Sequence, residues 1–69
     1  MYGEYNKRFG AVAVEKGFIT IEQLYEAVEI QIREELKGLK RRYVGQILIE
    51  LDYATNTQVD EVLESMGLL

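Results

Sequence analysis

Apolar residues recur at steps of three and four along most of this 69-residue chain, and that period predicts four helices. The first runs roughly from Lys7 to Lys16, where Phe9, Val12 and Ala13, with neighbouring Ala11 and Val14, make a broad apolar surface. Gly17 follows, a residue tolerant of positive φ where a helix C-terminus commonly needs one. Thr20 with Gln23 three residues on is a capping-box pattern and opens the second helix. Ile21, Leu24, Val28, Gln31, Ile32 and Leu36 fall near one stripe of it, and Gly38 is a stop shortly after Leu36 or Lys37. The third helix begins near Arg42 or Tyr43, turns Val44, Ile47, Leu48 and Leu51 inward, and ends at Asp52 and Tyr53. Thr55 and Gln58 repeat the capping box, and Val59, Val62, Leu63 and Met66 form the apolar face of the fourth.

Periodicity alone leaves the run from Val44 to Leu51 open to a strand reading. An internal repeat decides for a helix. Shifting the sequence by 35 places Gly10 on Gly45, Glu15 on Glu50, Thr20 on Thr55, Gln23 on Gln58, Glu26 on Glu61 and Glu29 on Glu64. Apolar positions follow: Phe9, Val12, Val14, Phe18, Leu24 and Val28 meet Val44, Ile47, Ile49, Tyr53, Val59 and Leu63. Agreement at caps and core positions together predicts an all-α fold of four short helices in two tandem hairpins, residues 7–37 and 42–66, within one domain.

Size and charge narrow the functions. A domain this small hides only about 60% of the surface its unfolded chain exposes, so docking to a partner or to a second copy would add needed burial. No cysteine or histidine is present, which removes disulfides, thiolate zinc sites and imidazole ligands, and no cofactor or metal is expected. No apolar run reaches the length of a membrane span, and the start lacks a signal peptide's regions, so the expected address is the cytoplasm, without membrane insertion. The net charge is −4, unevenly spread. Residues 33–42 carry a cationic excess, with Lys40, Arg41 and Arg42 as a candidate anion patch or simply a solvated connector. Residues 43–69 contain no basic side chain. The hairpin from Tyr43 to Met66 has the outline of a helix-turn-helix, but its would-be recognition helix bears Asp60, Glu61 and Glu64, which phosphates would repel; no nucleic-acid partner is expected.

Catalysis is the weakest candidate. There is no His or Cys to serve as base or nucleophile and no Gly-rich loop ending in Gly-Lys-Ser/Thr, while Glu22, Glu26 and Glu29 occur as a solvated helical face would. Individual residues carry more information. Gln31 lies on the stripe expected to face inward, where an amide must find a ligand, a backbone carbonyl or water. Gly10 and Gly45 cost helix propensity, so each asks for a close helix approach or a ligand. Arg8 is either an ordinary exposed cation or a ligand contact.

Read together, Arg8-Phe9-Gly10, Ala13, Gly17, Leu24, Val28 and Gln31 resemble the N-terminal domain of the assembly ATPases of type II secretion and type IV pilus systems, the GspE/MshE type. The resemblance covers roughly residues 7–66. It implies tandem helical hairpins in a bacterial protein, and one of two roles: docking onto a secretion or pilus platform protein or ATPase, or binding the second messenger cyclic di-GMP. Under the second role Arg8, Phe9, Gly10, Gly17, Leu24, Val28 and Gln31 would form the ligand contacts. The second unit departs from the pattern, because Arg8 maps to Tyr43, Gly17 to Asp52 and Gln31 to Met66. A non-catalytic protein-interaction or regulatory module is therefore the leading expectation, with a cyclic di-GMP sensor using the first motif as the alternative.

Overall fold

The structure, a computed structural model, describes residues 3–69. Among these residues are four helices, α1 Gly3–Glu15, α2 Ile21–Leu36, α3 Val44–Glu50 and α4 Asn56–Ser65, and no strand. Val44 to Glu50 is helical, as the repeat requires. No helix is long and apolar enough to cross a membrane among the described residues.

The duplication is visible in the local hydrogen bonding. Thr20 and Thr55 each accept from the backbone N–H three residues on, and Gln23 and Gln58 each accept from the cap's own N–H, at 2.9 to 3.1 Å. The turns that close the hairpins also match. Gly17 donates to Val14 O and Phe18 to Ala13 O in the first, as Asp52 donates to Ile49 O and Tyr53 to Leu48 O in the second. Asp52 holds φ at 66° where Gly17 holds 77°. The glycine missing from the second motif is thus replaced without loss of the turn, because a short acidic residue tolerates the left-handed conformation better than most.

Equivalent faces are buried in both hairpins and pack on each other: Phe9 and Val44, Ala13 and Leu48, Ala27 and Val62, Gln31 and Met66. Contact across the hairpins, α2 with α3 and α1 with α4, exceeds contact between α1 and α2. Gly45 lies at the crowded centre. A Cβ there would stand 3.1 Å from Val59 and 3.2 Å from the Phe9 ring, which explains the absence of a side chain. At Gly10 a Cβ would overlap the Leu24 side chain, the residue equivalent to Val59, so the same close approach recurs in each hairpin.

Two boundaries and one buried face differ from the sequence pattern. Helix α1 starts at Gly3 rather than near Lys7, since Tyr5 stacks toward Phe9 and extends the apolar face by a turn. Helix α3 stops at Glu50, because the left-handed Asp52 already belongs to the turn. The α2 stripe also splits. Ala27 and Gln31 point inward, and Ile21, Ile32 and Leu36 are exposed, because the small Ala27 lets α3 approach on that side. The first hairpin is longer than the second by six residues at each open end, and those extensions carry most of its polar chemistry.

Candidate functional site

The residues singled out in the first motif differ in exposure. Phe9 is 1% exposed and sits in the core between the hairpins, against Gly45. Arg8 is exposed on α1, Gly17 forms the exposed turn, and Val28 is half-buried beside the core. Gln31 is 4% exposed and its hydrogen bonds are spent within the chain: Nε2 donates to the Arg42 carbonyl at 2.8 Å, and Oε1 accepts from Asn6 Nδ2 at 2.7 Å. Of the amide's three possible recipients, a backbone carbonyl is the one in contact. It thereby ties α1, α2 and the connector together. Asn6 Oδ1 is buried beside it with no donor.

The candidate anion patch is likewise engaged by carboxylates. Arg42 forks onto Glu34 at 2.6 and 3.1 Å and reaches Glu50 at 3.0 Å, and Arg41 lies 3.4 Å from Glu35. Hydrogen bonding to Arg42 holds the Glu34 carboxyl below the usual range, and the same bonds, with Glu34 first and Glu50 second, raise the Arg42 guanidinium. Lys40 stands exposed nearby. An incoming anion would have to compete with these internal carboxylates. A further bond crosses the hairpins from the Tyr53 hydroxyl to Glu26 Oε1 at 2.6 Å, and it pushes the Tyr53 phenol up. Burial, and then the neighbouring Tyr43 ring 4.9 Å away, push the Tyr5 phenol up.

Gly10 and Leu24 do meet, at the floor of an open cleft of about 450 Å³ on the outer face of the first hairpin. Ala11, Val14, Ile21 and Tyr25 form its walls, with Lys7 at one end and Glu15 at the other. Ile21 is 50% and Tyr25 68% exposed, and the apolar surface continues along α2 to Ile32. Exposed apolar residues are ordinary singly, but a contiguous set between two helices is a recognition feature.

The second hairpin supplies an internal control. Its equivalents of Ala11, Ile21 and Tyr25 are Gln46, Asn56 and Asp60, all exposed. Helix α4 keeps the cap of α2 with polar residues at the places of Ile21 and Tyr25, so the apolar choice there is not a requirement of the fold; Gln46 has its own task, since its Oε1 accepts from the Tyr43 N–H at the start of α3. Sequence reading noted the positions where the repeats agree; the signal for this cleft lies in the positions where they disagree. No family model, curated protein or solved structure matches the chain.

Proposed function

We propose that the chain is a non-catalytic docking module that holds a protein partner on the outer face of its first hairpin. The single observation that supports this most strongly is the contrast at equivalent positions, Ile21 and Tyr25 against Asn56 and Asp60, on two helices with the same N-terminal cap. Apolar side chains held in water on a stable scaffold gain free energy only when something covers them. A platform protein or ATPase of a secretion or pilus apparatus is the class of partner that the first motif's resemblance suggests. The cyclic di-GMP reading has less support, since Phe9 and Gln31 are buried and Gln31 is already hydrogen-bonded within the chain.

Site-specific photo-crosslinking in cells tests the proposal. A benzophenone side chain at position 25 should attach one discrete protein, and the same group at position 60 should attach none. Equal, diffuse labelling at both positions would remove the docking reading. Titrating cyclic di-GMP into isotope-labelled protein separates the alternative: coherent shifts at Arg8, Gly10 and Gln31 would favour the sensor over the docking module.

A further inference from the structure

We infer that the occupant of this cleft is a single amphipathic helix, acidic toward its N-terminus and basic toward its C-terminus, lying parallel to α1. The inference rests on the docking reading above and specifies its partner.

Size comes first. The cleft is lined by eight residues, whereas a standard interface between two globular proteins uses roughly 20–30 residues a side. A lone helix laid along a two-helix groove needs only a few apolar anchors at steps of three and four. From Lys7 to Glu15 the cleft runs about 12 Å along α1, a length that about two turns of a partner helix cover. Leu24 packs over Gly10 and forms the cleft floor, so the anchors of the incoming helix meet Leu24, Ile21 and Tyr25.

Charge then sets direction. The two charged residues lining the cleft sit at opposite ends, Lys7 toward the open end and Glu15 toward the α1–α2 turn, about 12 Å apart on one helix. Glu22 adds a second exposed carboxylate near the turn, in the first turn of α2. A partner helix meets both ends favourably when its carboxylates lie by Lys7 and its cations by Glu15. Acidic residues favour a helix N-terminus and basic ones a C-terminus. The N-terminus of the occupant therefore lies at Lys7, and its chain runs with α1 and against α2.

Two synthetic sixteen-residue helical peptides with one apolar face and a central Phe, one acid-first and one charge-reversed, are the probes. Each carries an N-terminal spin label and is titrated into isotope-labelled protein. The acid-first peptide should bind about tenfold tighter at low salt and broaden signals around Lys7, with the preference fading as salt rises. In the double variant Lys7→Glu with Glu15→Lys, the preference should invert. Equal affinities for both peptides, unaffected by that double variant, would overturn the proposed orientation. Cleft signals unmoved by either peptide would overturn the helical occupant, and if position 25 still crosslinks a discrete protein in cells, the docking reading survives that loss. Tyr25→Asp, which installs the residue of the second hairpin on an exposed position, should abolish binding of both peptides with the melting temperature unchanged.

Discussion

Both hairpins cap their second helices with Thr and Gln, close with the same turn bonds, and bury matching faces, yet they treat water differently. The second presents Gln46, Asn56 and Asp60 outward and concentrates its large apolar side chains inside, where Val44, Ile47 and Leu48 are fully buried. The first has a smaller inward set, with Ala13 facing Leu48's place in the repeat and Val12 only half-buried at the place of Ile47. Phe9, Ile19 and Ala27 join the core, while Ile21, Tyr25, Ile32 and Leu36 stand outside. Both copies of the duplicated unit thus build the core, and the first also presents an apolar outer face. The chemistry of the surface is legible because the partner copy shows what the fold alone would accept.

At one equivalent pair, Ile47 and Val12, truncation should be far more damaging in the second hairpin. Ile47→Ala removes three carbons from a site with no exposure, at a cost of about 3 kcal/mol. For a domain of this size that approaches the whole stability, so the variant should be largely unfolded at room temperature. Val12→Ala at the equivalent place should cost under about 1 kcal/mol, because the side chain is half-solvated and alanine favours the helix. Urea denaturation followed by circular dichroism measures both. Equal losses would mean that the hairpins share the core evenly.

The next largest contrast lies at Gln31 and Met66, equivalent positions with a polar and an apolar solution. Gln31→Met copies the second hairpin into the first, but it leaves the Asn6 amide and the Arg42 carbonyl without their partner. The loss should be about 1–2 kcal/mol, since the desolvated groups outweigh the added apolar burial. Adding Asn6→Leu to Gln31→Met should recover part of it, because two apolar side chains then face each other. A double-mutant cycle on denaturation midpoints reads the coupling, and zero coupling would show that the amide pair contributes nothing.

How far the sequence carried these conclusions depended on the range of the interaction. Caps, turns and helix period are local, so Thr20, Gln23, Thr55 and Gln58 announced their helices, and the repeat resolved the ambiguous run around Ile47. The partners of Gln31 were not legible, because Asn6 and Arg42 lie 25 and 11 residues away and meet it only once the hairpins have packed. The orientation of α2 was hidden for a related reason. Its apolar residues cover more than one face, and only the approach of α3 against Ala27 decides which of them stay in water. Arg42 read as a free cation for want of any sign that Glu34 and Glu50 would close on it.

The turns offer a smaller and reciprocal contrast. Asp52 occupies a left-handed conformation that glycine adopts at no steric cost, so Asp52→Gly should stabilise the chain by about 0.5–1 kcal/mol. Gly17→Ala should destabilise it by about 1 kcal/mol, although no atom lies near the added methyl, because the penalty is in the backbone alone. Thermal melts of the pair would show shifts of opposite sign. A loss on Asp52→Gly would mean that the Asp52 side chain contributes something that glycine cannot.

The smallest difference to resolve concerns charge at another equivalent pair, Arg42 and Lys7. Arg42 joins Glu34 on α2 to Glu50 on α3, whereas Lys7 stands at the end of the open cleft. Glu34 is held below the ordinary carboxylate range by its hydrogen bonds to Arg42, so its folded value lies under its unfolded one. Such a group adds stability above the unfolded value, roughly pH 4 to 5, and that contribution disappears as pH falls through the folded value. The stability gap between the parent chain and Arg42→Met should therefore be constant near neutral pH and shrink steadily below about pH 4.5. It should also narrow with added salt, as expected of a partly solvated pair. Lys7→Met should show no such acid dependence, and a matching pH profile for the two variants would place the ionic clasp in both hairpins instead of one.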